Sequence, residues 1–223
     1  MKKHLFQILP LLGLLCSCEK GSDDYRYPSV ITDFVCLSTD ATGRLERLYT
    51  DKGASYPISL TDELLENYDN KEPLFQCDTV YRAIGIYELT ATEQSDTVAN
   101  IYSVGSVVSS SPTPLRDGEA MRQVPVYLQS CWCSGEYLNI IIEIKGLDMS
   151  RHTIGFVDTT PKGMLGREFT FYHSTTNDEE AYRQKLYASI PLAPFEDDLH
   201  QGGTLRFVVN TYDKGATVVE FAM

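Results

Sequence analysis

Short apolar alternations, separated by Gly, Asp, Asn and Pro, run through most of this chain. Val30 to Leu37 reads as a first strand, and Arg44 to Thr50 as a second with Leu45 and Leu48 as its apolar positions. Asp40-Ala41-Thr42-Gly43 is a turn between them, and Asp51-Lys52-Gly53 is a tight hairpin into a third strand, Ser55 to Ile58. The period then changes. Ser59 and Asp62 have capping-box spacing, Leu64, Leu65 and Tyr68 share one face, and Asn70 and Pro73 stop the helix so predicted. Phe75 to Leu89 reads as a long strand bent at Gly85, and Thr97 to Val108 as the next. Three strands, a helix and two strands is the order of a small five-stranded barrel of OB type.

Ser109-Ser110-Ser111-Pro112-Thr113-Pro114 offers no core-forming side chain and carries two prolines, so it reads as an extended linker. A second β series follows: Val124–Cys131, Tyr137–Lys145, His152–Asp158, Glu168–Tyr172, Lys185–Pro191, Leu205–Tyr212 and Thr217–Phe221. Asn177 to Tyr182 reads as a turn or two of helix between the fourth and fifth. Seven short strands with turn signals predict an antiparallel β-sandwich. The expected fold is mainly β. A signal would occupy residues 1–17, a tether 18–27, the barrel 28–108, the linker 109–116 and the sandwich 117–223.

The amino terminus changes the picture from fold to location. Lys2 and Lys3 precede a short apolar run, Leu5 to Leu15, and Leu15-Cys16-Ser17-Cys18 closes it. That is a secretory signal with a cysteine at the cleavage point. Eleven apolar-region residues are too few for a span, which needs about 20. Cys18 has a small residue before it and an aliphatic one three places upstream. Cys16 follows bulky Leu15 directly, so Cys18 is the expected lipidation site. Each buried acyl methylene contributes about 0.8 kcal/mol, so several chains on Cys18 would hold the protein on a membrane. The polar, acidic stretch from Glu19 to Asp24 would be the tether, and the outer membrane is the expected address.

Charge narrows the partners. The formal net charge is −12, and losing Lys2 and Lys3 with a signal makes it −14. Such a chain repels phosphate backbones, so no nucleic-acid partner is expected. Cys36, Cys77, Cys131 and Cys133 remain besides the signal cysteines. Cys131 and Cys133 would share one strand face without bridging each other. A Cys36–Cys77 bridge and free thiols both stand as readings, and metal-ligand spacing is lacking. The sequence has no GxSxG, HExxH or phosphate-binding glycine loop, so no cofactor and no enzyme activity are expected. His173 beside Ser174 and Asp178 invites a catalytic triad. The competing reading is a strand end followed by a capped helix. Asp197-Asp198 and Glu179-Glu180 read as solvated acids, and acidic loops leave calcium open without the DxDxDG order. Trp132, the lone tryptophan, would either plug the core between sheets or stack on a sugar or protein.

Several stretches resemble the NigD-like lipoproteins of Bacteroidetes. They include Tyr27-Pro28-Ser29-Val30-Ile31-Thr32-Asp33-Phe34, Arg82-Ala83-Ile84-Gly85-Ile86-Tyr87 and Trp132-Cys133-Ser134-Gly135-Glu136-Tyr137-Leu138-Asn139. His152-Thr153-Ile154-Gly155-Phe156-Val157, Asn177-Asp178 and Ser189-Ile190-Pro191-Leu192 continue the series in order. The resemblance implies an OB-type module followed by a β-sandwich. It also implies a bacteriocin-associated accessory or self-protection role. The expected function is a non-catalytic binding or accessory module for an unknown protein or glycan. A structural scaffold is the alternative, and a hydrolase using His173 or an acidic cleft comes third.

Overall fold

A computed structural model describes residues 29–60, 75–93, 96–116, 118–199 and 202–223. The signal, Cys18, the tether and the body of the expected helix after Leu60 lie outside these residues, as does His200.

Five strands close into a barrel: β1 (Ile31–Thr39), β2 (Leu45–Thr50), β3 (Ser55–Leu60), β4 (Val80–Ala91) and β5 (Thr97–Ser106). Their order around the barrel is β1-β2-β3-β5-β4, with β4 pairing back onto β1. Val35, Leu37, Leu48, Ala83, Tyr87, Ala99 and Ile101 fill the interior. In β1 the neighbours Phe34 and Val35 are both buried. Adjacent strand residues face opposite ways, so both faces of β1 are covered. Phe34 pairs with Ile84 and Cys36 with Arg82 across β1 and β4, and these four form an outward face.

β4 begins at Val80, five residues later than the sequence pattern suggests. Thr39 prevents an earlier start. Its hydroxyl donates to Gln76 O at 2.7 Å and accepts from Thr79 N at 3.0 Å, and Asp78 turns with φ 49°. The expected bend falls beside Gly85, where the β4–β5 register shifts between Ile86 and Tyr87.

The second unit stacks two four-stranded sheets. One contains β6 (Val108–Ser109), β7 (Tyr127–Ser134), β8 (Tyr137–Gly146) and β11 (Tyr182–Pro191), in the order β6-β11-β8-β7. The other runs β13-β12-β10-β9, built from β9 (His152–Asp158), β10 (Gly166–Thr175), β12 (Thr204–Thr211) and β13 (Gly215–Ala222). Leu138, Ile140, Ile142 and Ile144 of β8 face Phe169, Phe171 and Phe207 across the core, and Leu199 of α1 (Glu196–Leu199) packs against it. Eight strands form where seven were expected, because β6 adds a parallel edge to β11. β10 and β12 also pair in parallel.

Two expectations meet a different backbone. Among residues 109–114 only Pro112 is buried, and the main chain is bonded to the sandwich. Thr113 N donates to Phe156 O at 3.3 Å, and Asp158 N donates to Thr113 O at 3.1 Å. Residues 177–181 form no helix. Asn177 turns with φ 51°, and the Asp178 carboxylate accepts from Leu147 N at 2.8 Å and Asp148 N at 3.2 Å. A carboxylate spent on another loop cannot cap its own helix.

Candidate functional site

The outward face of β1 and β4 lies on the outer face of the β6-β11-β8-β7 sheet, and a charged residue sits in the middle. Arg82 donates through Nη1 to Asp51 Oδ1 at 2.6 Å and through Nη2 to Asp51 Oδ2 at 2.8 Å. Nη2 also donates to Asn139 Oδ1 at 2.8 Å, and Nε to Ser189 Oγ at 3.2 Å. Asn139 Nδ2 donates to Asp51 Oδ2 at 2.9 Å, and Ser189 Oγ donates to Asn139 Oδ1 at 2.7 Å. The ring of bonds is closed and buried, with the Arg82 and Asp51 side chains 4% and 8% exposed. Such a pair persists when its remaining donors and acceptors are satisfied, as here.

Aromatic rings surround this lock. The Arg82 guanidinium lies 3.9 Å from the Tyr137 ring centroid, within cation–π range. Phe34 meets Trp132 edge-on at 5.5 Å and Tyr187 at 5.9 Å. Trp132 is therefore neither an inter-sheet plug nor a bare platform; it packs at the seam between barrel and sandwich. Its neighbours Cys131 and Cys133 point the other way, into the sandwich core. Burial pushes their thiols up to about 12 and about 11. All four cysteines are free, so Cys36 and Cys77 form no bridge. The Cys36 thiol instead donates to Tyr137 Oη at 3.4 Å.

Two hollows of about 230 Å³ flank the seam and share Gly135 and Glu136. One is lined by Leu192, Ala193, Glu196 and Leu199, the other by Cys36, Tyr49, Asp51 and Tyr137.

The histidines gather elsewhere. His152 Nε2 lies 2.9 Å from Asp178 Oδ2, and His152 Nδ1 lies 2.8 Å from His173 Nε2. His173 Nδ1 reaches Val124 O at 2.9 Å, and the rings stack at 5.1 Å. The hydrogen bond from His152 holds Asp178 below the usual carboxylate range, with help from three backbone N–H groups. Burial holds His173 below its ordinary range, and His152 adds to that effect. The structure brings His173 and Asp178 together through His152, which the triad reading left out. Ser174, one residue along the strand, points to the opposite face. Asp197 and Asp198 sit in α1, where Asp198 pairs with Arg167. Among the described residues no group of three metal-ligating side chains has metal-binding geometry.

A closed OB-type barrel locked against a β-sandwich defines the class. A profile of the NigD-like C-terminal beta sandwich domain matches residues 107–223, more than half the chain, and the chain belongs to the NigD-like family. A NigD-like immunity protein from Bacteroides caccae is similar at 27% identity, over 88% of this chain and 94% of its own, with TM-score 0.69. A protein of unknown function from Bacteroides vulgatus is 14% identical over 87% and 91%, TM-score 0.65. A candidate lipoprotein from Bacteroides fragilis is 9% identical over 86% and 96%, TM-score 0.57. These last two speak for the fold alone. None of the three is named as an enzyme. No curated protein matches the chain. Among the described residues no helix is long and apolar enough to cross a membrane.

Proposed function

We propose that this chain is an outer-membrane lipoprotein, held by acylated Cys18, that works by binding a protein or glycan rather than by catalysis. The observation that carries the reading is the state of the histidine–carboxylate row. Every ring nitrogen of His152 and His173 has an internal partner, and the His152 and Asp178 side chains are 1% and 4% exposed. A general acid or base must reach a substrate proton, and these groups reach only internal partners. The hollows at Gly135–Glu136 offer a recessed surface on a fixed support. The Bacteroides caccae relative is described as an immunity protein. Protection by sequestering a toxin is one form such binding takes.

Photo-crosslinking in intact cells tests this. A crosslinking residue at Glu136 should give a discrete adduct, and one at exposed Lys162 should not. Cys18→Ala should move the protein out of the membrane fraction. Identical patterns from both positions, or membrane partitioning unchanged by Cys18→Ala, would contradict the reading.

A further inference from the structure

The backbone from Arg122 to Val126 lies between the diverging ends of β10 and β12. His173 N donates to Arg122 O at 3.0 Å, and Val124 N to His173 O at 2.9 Å. On the other side Val126 N donates to Asn210 O, and Tyr212 N to Val126 O, both at 3.0 Å. This segment is a strap that fills a split in the sheet. The His173 side chain fastens it through Nδ1 to Val124 O.

The row Asp178–His152–His173–Val124 begins and ends on acceptors, a carboxylate and a carbonyl. Each of its three contacts needs one proton, so the four ring nitrogens share three. One ring is then an imidazolium, and the Asp178 carboxylate balances its charge. A fourth proton has no acceptor, because it would set N–H against N–H across 2.8 Å. Removing one proton would leave two lone pairs facing each other in a buried place.

We propose that this row is a proton-operated latch. It clasps the strap at 122–126 and the 175–181 turn onto the sandwich, and one further proton opens it. Burial makes the His173 ring resist the fourth proton. A freed pair of imidazoles binds fewer than three protons above about pH 6.5 and more than three below it, so closure is tightest near that pH and opening is favoured as pH falls further. Asp178, also held low, adds to opening only once pH falls toward the carboxylate range, near 4.

Other charged groups face the row from each neighbouring element. Asp148 accepts from Ser150 and pairs with Arg151 at 3.4 Å. Arg151 Nη1 donates to Asn177 O at 2.5 Å. Glu180 pairs with Lys145 of β8 at 3.4 Å, and Glu179 offers its N–H to Asp178. Arg122 meets His173 through its carbonyl, and the neutral Phe171 ring stands 6.1 Å from His173. Asp148, like Asp178, is held below the usual carboxylate range by its hydrogen bonds, so neither takes up a proton between about pH 7 and 5, the range in which imidazole ordinarily does. The latch stands whether or not the seam binds a partner.

Hydrogen–deuterium exchange on the mature chain in detergent tests it. After correction for intrinsic rates, amides at 119–126 and 175–181 should exchange several-fold faster at pH 5.0 than at 6.5, with β1–β5 unchanged. His173→Gln should abolish that pH dependence. Equal protection at both pH values, or the same dependence in His173→Gln, would overturn the proposal. Nitrogen-15 spectra of the wild-type imidazoles give a second readout that needs no variant. Three ring-bound protons over His152 and His173 at pH 6.5 support the latch, and two overturn it.

Discussion

Removing the Arg82 guanidinium leaves Asp51 as a buried carboxylate without its counter-charge. Breaking a buried pair from one side costs about 3–5 kcal/mol. At about 2–4 °C per kcal/mol for a chain of this size, Arg82→Ala should lower the melting temperature by roughly 6–20 °C. Arg206 makes a useful contrast. It pairs with Glu168 at 2.7 Å and with the exposed Glu220 at 3.0 Å. Exposed pairs contribute about 0–1 kcal/mol, so Glu220→Ala, which removes only the exposed partner, should shift melting by at most a few degrees. Equal shifts for the two variants, read by circular dichroism, would show that the seam pair is not special. None of this was legible from spacing. Arg82 lies 31, 57 and 107 residues from Asp51, Asn139 and Ser189, so no local pattern joins them. The resemblance came nearer. Phe34, Arg82, Trp132, Tyr137, Asn139 and Ser189 all belong to the stretches that carried it, and all meet at the seam. His152 and Asp178 belong to those stretches too, and both sit in the latch.

Turns that touch decide how the strands are held. Gly135, in the β7–β8 turn, has φ 56°, and a Cβ there would stand 2.7 Å from the carbonyl oxygen of Asp51 in the β2–β3 turn. Gly53, in that same β2–β3 turn, has φ 82° but open space around its Cβ position. Both substitutions to alanine strain the backbone by about 1–3 kcal/mol. Gly135→Ala must also push the two turns apart. It should therefore melt several degrees below Gly53→Ala, and protease should cleave near Ser106 faster. Similar melting for both would mean the turns do not bear on each other. The β2–β3 hairpin is readable, because Asp51-Lys52-Gly53 encodes its turn locally. The parallel pairing of β10 with β12 was not, since it joins residues across an intervening strand and helix. The 177–181 turn was misread for a related reason. Asn177 and Asp178 suit a helix start, but Asp178 is drawn to backbone N–H groups from 30 residues away.

On the scale of the molecule, the two cores stay separate and the seam joins them. Val35, Leu37 and Leu48 belong to one core, and Ile140, Phe169 and Phe207 to the other. Alternation and turn signals were enough to show two β series, because each strand buries a face within its own unit. They could not show that the units are fixed to each other, since that depends on the second, outward faces of β1, β4 and β8. A fixed pair presents the Gly135–Glu136 hollows as one surface, whereas two loosely tethered units would not. Backbone nitrogen-15 relaxation on the mature chain carrying Cys18→Ala tests this directly. β1–β5 and β6–β13 should tumble with a single correlation time, which splits in two when Arg82 becomes alanine. A separate, shorter time for the barrel strands of the unaltered seam would contradict the account.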